Sequence, residues 1–373
     1  MDKVSLTLKN NDSLCDVFSG QNSFPQILTY LKEKKKAQYV IITDSKVKKL
    51  HGERLLKFLK DGGLNVFLIS FPNGEKNKTR KTKAYMEDIM FEHKCGRDSL
   101  IIALGGGVTG DMAGFVAGTY MRGIPVVQVP TTTIAIADSS YGGKTAIDVP
   151  AGKNLIGVFH QPIAVFMDPE LLKTLDKRNY DSGLVEMIKH GMIKDKKFYD
   201  FLKENMKIIL NKKHPDYDNV MKKVLLDNLM IKRTVVVEDQ KESNLRKILN
   251  YGHTVGHAVE KLSNFDLLHG EAIAIGISVE AFIASKLGIM SKDDYLDQRD
   301  ILESIGLDTK IPKNITTKKI MNLMCIDKKA RGGEPEFVFT IKNGQYAVFE
   351  NGNVSKKVSK EILEKLINEY RKL

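Results

Sequence analysis

The sequence predicts an α/β N-terminal domain with a mainly parallel sheet, followed by a mainly α-helical domain. Three observations carry that prediction. Strand-length apolar runs alternate with helical patterns through the first half, as in a parallel sheet covered on both faces. Three adjacent glycines follow one of those runs and open a helical stretch. Beyond Asp168-Pro169 the apolar runs give way to helical periodicity, and histidines gather. A chain of 373 residues exceeds one small core, so two domains are expected, 1–170 and 171–373.

Residues 38–44 form the first apolar run and end on Asp44, and residues 65–69 form the second. The third, 99–104, is stopped by Gly105, Gly106 and Gly107; the fourth, 124–129, runs into Pro130; the fifth is 163–167. Helical patterns over 46–60 and 79–93 separate the earlier runs. Ligands of such sheets sit beyond the carboxyl ends of the strands, where Asp44, the glycines and Thr131 fall. In the second half, residues 181–194, 196–210, 217–235, 249–262, 270–287 and 359–370 read as helices. Residues 337–349 are the exception, because Asn343-Gly344 between alternating apolar positions signals a β-hairpin.

Composition excludes several classes. No apolar run approaches a membrane span, and the start Met1-Asp2-Lys3 does not read as a signal peptide. Cys15, Cys95 and Cys325 lie far apart with no CxxC pair, so they read as small buried hydrophobes in a reducing cytoplasm. The net charge of +12 raises nucleic acid as a partner, but the lysines interleave with acids, and no basic stripe carries stacking aromatics. Neither nucleic acid nor membrane is expected as a partner. A basic surface does suit an anionic metabolite.

The chemistry-bearing residues fall into sets. Gly105-Gly106-Gly107 before a helix allows a pyrophosphate to approach the backbone and meet the helix N-terminus; the bland reading is a tight turn. Thr131 and Thr132 can supply hydroxyls to the same ligand or cap a helix, and Thr131 suits both roles. Asp44 suits a ribose or base contact, and the turn 74–78, with Glu75 and Lys78, can close over it. Asp138 to Lys144 and Gly152-Lys153-Asn154 read as glycine-rich loops offering cations to phosphate or carboxylate, or as plain surface loops. Glu186 and Lys189 share a helical face; apolar flanks bury that face and make Glu186 a credible metal ligand instead of a surface ion-pair partner. His253 and His257 leave one face of a helix a turn apart, and His269 follows twelve residues later. A lone histidine of this kind is usually a satisfied helix residue, but three beside Arg246 point to a divalent metal next to an anion site. From spacing alone, His253 and His257 are both candidate ligands.

Together these motifs resemble the 3-dehydroquinate synthases, within the sugar-phosphate cyclases. The resemblance runs from about Asp44 to Lys329 through GGGVTGDMAGFVAGTYMRG, DSSYGGK, GKNLIG, SGLVEMIKHG, RKILNYGHTVGHAVE, HGEAIAIG and Asp327-Lys328-Lys329. It implies an NAD-binding Rossmann-like domain, a helical metal- and substrate-binding domain, and a cytoplasmic homodimer. It also implies zinc, or cobalt in its place, held by Glu186, His253 and His269, with His257 moved to the substrate phosphate. Lys144, Asn154 and Asn250 would join His257 there, with Arg122 reaching across the dimer interface and Lys328 or Lys329 completing the set. Lys153, Lys189, Lys232 and Arg246 would hold carboxylate and hydroxyls, with Asp138 near the reacting carbons. NAD would lie against Asp44, Glu75, Lys78, Gly106, Gly107, Asp111, Thr131 and Thr132, with Lys144 and Lys153 nearby.

The activity implied is a phosphate-eliminating carbon–oxygen lyase of the shikimate pathway of aromatic amino-acid biosynthesis. It converts 3-deoxy-D-arabino-heptulosonate 7-phosphate to 3-dehydroquinate by transient oxidation with NAD, phosphate loss, re-reduction and intramolecular aldol closure. Two departures stand out: Thr133-Ile134 replaces the usual Leu-Leu after the threonine pair, and Asp148 stands where many members have Asn. The rival readings are a sibling sugar-phosphate cyclase and a metal-dependent polyol dehydrogenase. The set Arg246, Asn250 and His257 disfavours the first, and the phosphate cluster disfavours the second.

Overall fold

The computed structural model describes residues 1–7, 14–239, 243–264, 266–326 and 334–373. These divide into two units, 1–176 with 221–225, and 177–220 with 226–373.

The first unit is built on a seven-stranded sheet of order β1-β2-β9-β6-β5-β3-β4. Its elements in chain order are β1 (Asp2–Thr7), β2 (Leu14–Ser19), α1 (Ser23–Lys34), β3 (Gln38–Asp44), α2 (Ser45–Val47), α3 (Glu53–Asp61), β4 (Val66–Phe71) and α4 (Arg80–Glu92). They continue with β5 (Ser99–Gly105), α5 (Gly107–Thr119), β6 (Val126–Pro130), β7 (Lys144–Val149), β8 (Gly152–Phe159), β9 (Ala164–Met167) and α6 (Pro169–Leu172). β1 and β2 pair antiparallel, and every other pairing in the sheet is parallel. The alternation of side chains along each strand feeds two cores. Tyr39, Ile41, Leu100, Ile102, Val127 and Val129 face Ile27, Leu31, Leu55 and Leu59 of α1 and α3. Val40, Ile42, Ile101, Ala103 and Val126 face Met86, Met90, Met112 and Val116 of α4 and α5. All five expected strands are present as β3 to β6 and β9. β1, β2 and α1 add to them.

One expectation is corrected here. Lys144 opens β7, and Lys153 and Asn154 lie in β8, so both stretches read as loops contribute to an antiparallel hairpin. Glycines, lysines and a half-exposed face hid its alternation. Asp138 does lie in irregular structure, a π-helical turn over Ala135–Ser139.

The second unit contains α7 (Lys177–Lys194), α8 (Lys196–Ile209), α9 (Tyr217–Glu238), α10 (His253–Leu262), α11 (His269–Lys286), α12 (Lys292–Ser304), α13 (Thr317–Ile326) and α14 (Lys360–Tyr370). Residues 221–225 of α9 group with the first unit. Four short strands, β10 (Glu336–Val338), β11 (Thr340–Lys342), β12 (Gln345–Tyr346) and β13 (Ser355–Lys357), complete it. β11 and β12 form the expected hairpin across Asn343-Gly344, where Gly344 has φ 86°. Residues 336–338 pair instead with β13. The helix expected from 249 begins only at His253: a 3-10 turn over Leu245–Asn250 ends, and Gly252 turns the chain at φ 79°. Cys15 and Cys95 are buried as expected, whereas Cys325 is half-buried.

Candidate active site

In the second unit, α7 is buried over every residue from Tyr180 to Ile193. A helix apolar all round is drawn inside, and any ionisable group on it must then find partners. Lys189 Nζ donates to Glu186 Oε2 at 2.5 Å and to the Leu249 carbonyl at 2.6 Å. Glu186 Oε1 is buried with no hydrogen-bond partner among the described residues. It lies 3.7 Å from Nε2 of both His253 and His269. Two ligand atoms of a tetrahedral ion bound at about 2.1 Å sit roughly 3.4 Å apart, so these three atoms fit such an ion with slight closure.

The far nitrogens of the two rings are fixed. His253 Nδ1 is 3.0 Å from the Tyr251 carbonyl, an obligate acceptor, so Nδ1 carries the proton and Nε2 presents its lone pair. His269 Nδ1 is 3.2 Å from Glu260 Oε2, a carboxylate–imidazole pair of the kind that orients metal ligands. His257, one turn beyond His253, brings a nitrogen within 4.8 Å of donors on both other rings and remains exposed. Burial alone would raise the Glu186 carboxyl, yet Lys189, His269 and His253 outweigh it and hold it well below the usual carboxylate range. Burial, reinforced by Lys189, holds His253 well below the ordinary imidazole value. The cluster therefore offers a carboxylate and a neutral imidazole as donors.

Lys232 and Arg246 are both buried, and Asn250 ends the 3-10 turn before the histidines. Asp239 organises that approach: its carboxylate accepts from the amides of Ser243 at 2.8 Å, Asn244 at 2.7 Å and Arg246 at 3.0 Å. Close helix packing presents the rings. A Cβ on Gly276 would stand 1.9 Å from the Gly252 carbonyl oxygen, one on Gly256 would meet the Ala272 carbonyl at 3.1 Å, and one on Gly270 would stand 1.8 Å from that of Ser182. Sequence reasoning missed Asp239, Glu260 and these glycine contacts. Glu260 closes the RKILNYGHTVGHAVE motif, but its residue type alone assigned it no role. Lys328 and Lys329 lie outside the described residues.

In the first unit, Asp44 closes β3, and its Oδ1 accepts from the amides of Lys46 at 2.9 Å and Val47 at 3.0 Å. Its Oδ2 lies 3.4 Å from Thr109 Oγ1. Gly106 precedes α5 and Gly107 begins it, and neither has positive φ. Space is what they provide: a Cβ on Gly106 would meet Thr132 Cγ2 at 3.0 Å. Thr132 Oγ1 accepts from the Ala135 amide at 3.2 Å, so the capping residue is Thr132 and not Thr131. Thr131 Oγ1 is instead buried without a partner among the described residues. A helix N-terminus beside an unsatisfied buried hydroxyl fits a nucleotide phosphate.

Lys78 is buried and donates to Asp111 Oδ2 at 2.6 Å and Asn154 Oδ1 at 2.5 Å, with Glu75 Oε1 at 4.0 Å. Asn154, expected beside substrate phosphate, is thus bonded to a lysine of the nucleotide set. Burial pushes the Asp111 carboxyl up to about 6 against the opposing pull of Lys78. Asp148 carries structure of its own, accepting from the Asn154 amide at 2.9 Å and donating its amide to the Lys78 carbonyl at 2.8 Å. Asp138, Lys144, Lys153 and Arg122 are exposed, and Arg122 has φ 69°.

Parallel-sheet and helical units of this kind are those of the sugar-phosphate cyclases. A crystal structure of 2-deoxy-scyllo-inosose synthase complexed with carbaglucose-6-phosphate, NAD+ and Co2+ matches with a TM-score of 0.88 at 27% identity, covering 99% of this chain and 100% of that one. A 2-epi-5-epi-valiolone synthase from Streptomyces hygroscopicus subsp. jinggangensis, with NAD+ and Zn2+ bound, shares the fold with a TM-score of 0.85 at 24% identity, covering 96% and 97%.

Within that class, the chain belongs to the 3-dehydroquinate synthase family: residues 68–182 match the family's N-terminal model and 183–330 its C-terminal model. The 3-dehydroquinate synthase of Desulforamulus reducens is 41% identical over 343 residues, 89% of this chain and 94% of that protein. That of Prochlorococcus marinus (strain AS9601) is 39% identical over 333 residues, 88% and 90%.

Proposed function

We propose that this chain converts 3-deoxy-D-arabino-heptulosonate 7-phosphate to 3-dehydroquinate and phosphate, using NAD and a zinc or cobalt ion. The observation that carries the reading is the convergence of Glu186 Oε1 with Nε2 of His253 and His269, at 3.7 Å each, in a chain of this family. When bound, NAD supplies a reversible hydride acceptor and the ion supplies a Lewis acid.

The residues supply position and charge. From the second unit, Glu186, His253 and His269 hold the ion, and His257 and Asn250 hold the phosphate end. Lys189, Lys232 and Arg246 meet the carboxylate and hydroxyls. An ammonium has three donors; Lys189 gives two to Glu186 and Leu249, and the third would serve substrate. From the first unit, Lys144, Lys153, Asn154 and Asp138 meet substrate. Asp44, Glu75, Lys78, Gly106, Gly107, Asp111, Thr131 and Thr132 take NAD. Lys328 and Lys329 offer a further cation. Such a cationic set restrains a dianionic phosphate and a carboxylate while the departing phosphate itself takes the neighbouring carbon-bound proton.

A cytoplasmic homodimer fits the chain. Its three cysteines are free, and no helix among the described residues is long and apolar enough to cross a membrane. Leu155 and Phe159 of β8 are large exposed hydrophobes that a partner subunit would cover, and exposed Arg122 would act across the interface.

The test is turnover by zinc-loaded protein with catalytic NAD, following phosphate, dehydroquinate and NADH absorbance together. Equal phosphate and dehydroquinate with no lasting NADH, abolished by a chelator, is the expected result. No turnover by folded, metal-loaded, NAD-bound protein would reject the substrate and direct the search to other sugar phosphates. Accumulating NADH would favour a dehydrogenase.

A further inference from the structure

Helix α10 begins without a side-chain cap. Its N-cap position is Gly252 at φ 79°, and a Cβ there would meet Ile277 Cγ1 at 2.4 Å and Ile277 N at 3.0 Å. The serine, threonine, aspartate or asparagine that usually satisfies the first amides of a helix has no room. The cap comes from another helix. Glu280 of α11, 0% exposed, accepts from the Gly252 amide at 2.8 Å through Oε2 and from the Val255 amide at 3.0 Å through Oε1.

Glu280 is out of character with its surroundings: Ile277, Ser278, Val279, Ala281, Phe282 and Ile283 are all buried around it. An acid in such a place carries a desolvation cost, which an apolar residue would avoid. The two amides it holds bracket His253, and His257 follows one turn later on the same helix. His253 Nδ1 in turn leans on the Tyr251 carbonyl, one residue before Gly252. Fraying of this turn would displace both the Nε2 lone pair and the carbonyl that fixes its tautomer. The other end of the arrangement is α11 itself, whose first residue is His269. One carboxylate therefore ties together the two helices that carry all three imidazoles.

We propose that Glu280 is a positioning residue of the metal centre, setting the first turn of α10 against α11 so that His253 and His269 keep their spacing. The proposal rests on the metal assignment made above, and the experiment separates the two. Full-length wild type, Glu280→Gln, Glu280→Ala and His253→Ala are compared for cobalt(II) affinity, visible cobalt spectrum, NAD binding and far-UV circular dichroism. Wild type that binds no cobalt, or His253→Ala that binds it as wild type does, would sink the metal assignment and the proposal with it.

Given wild-type binding, Glu280→Gln is the deciding variant. It keeps the shape and one acceptor but turns an NH2 toward the second amide. The expected result is a loss of cobalt affinity of about 10–100-fold and a shifted visible spectrum. NAD affinity and secondary structure should stay unchanged, and kcat should fall more than KM rises. A Glu280→Gln protein with wild-type cobalt affinity and spectrum would overturn the proposal, even if its melting temperature fell, because Glu280 would then serve stability alone. Should Glu280→Ala not fold, the glutamine variant still decides.

Discussion

Asp239 shows how much one side chain can set without touching a ligand. Three amides and the Ser243 hydroxyl converge on its carboxylate, fixing the backbone of Arg246. Burial pushes this carboxyl up, but those hydrogen bonds win and bring it down to about 2. A carboxyl held below its unfolded value, about 3.9, stabilises the fold above that value and loses the contribution as pH falls toward the folded one. The non-titrating Asp239→Asn should therefore be less stable than wild type from neutral pH down to about 4, with the gap closing as pH falls to about 2. Urea melts across that range check it, and a gap of constant width would refute the assignment. In the sequence Asp239 is an ordinary acid, because its partners come from the turn that it creates. The histidine cluster was legible in residue type and spacing, but spacing paired His253 with His257, and only the family resemblance singled out Glu186, His253 and His269 as the set. Glu280 was not legible, since a lone acid in an apolar helix says nothing of what it caps.

At the scale of elements, α7 works as a clamp on the start of α11. Arg178, Ser182 and Glu186 stand four residues apart, on one face. Arg178 donates to both oxygens of Glu271 at 2.7 Å and to the Asp266 carbonyl at 2.6 Å. Glu271 Oε2 also accepts from the Leu268 amide at 2.7 Å, and Ser182 Oγ accepts from the Gly270 amide at 3.0 Å. Every rung thus braces the turn that presents His269. Arg178→Ala should weaken zinc retention by about tenfold with a smaller effect on melting temperature, as read by competition with a chromogenic chelator. Unchanged retention would show the brace to be redundant. Helical periodicity foretold α7 itself, but the partners of Arg178 and Ser182 lie 93 and 88 residues further along. Local pattern carries no information at that separation. The β7–β8 hairpin escaped for a different reason: its strands are neither continuously apolar nor cleanly alternating, so they resembled loops.

For the whole molecule, the parallel sheet and the helical second half were legible because burial on both faces writes itself as unbroken apolar strands. The membership of residues 221–225 in the first unit was not, since it depends on where a long helix is placed and not on its periodicity. Assembly is the property most open to test at this scale. Leu155 and Phe159 are 53% and 73% exposed on β8. Two large exposed hydrophobes on one strand suit a surface that the proposed dimer would cover. Phe159→Glu should convert the expected dimer to monomer by light scattering, and activity should fall with it because Arg122 would lose its partner subunit. A monomeric wild type, or an unaffected dimer, would remove this face from consideration.

The glycine contacts between helices have a genetic consequence. Any non-silent single-base change in a glycine codon yields a residue with a Cβ, or a stop. At Gly252, Gly270 and Gly276 that Cβ would fall within about 2–3 Å of a backbone atom, which no side-chain rearrangement relieves. A saturation library selected for growth without aromatic amino acids should leave those positions as empty as His253 and His269. Intolerance in such a screen would trace where two backbones touch, as much as where a substrate binds.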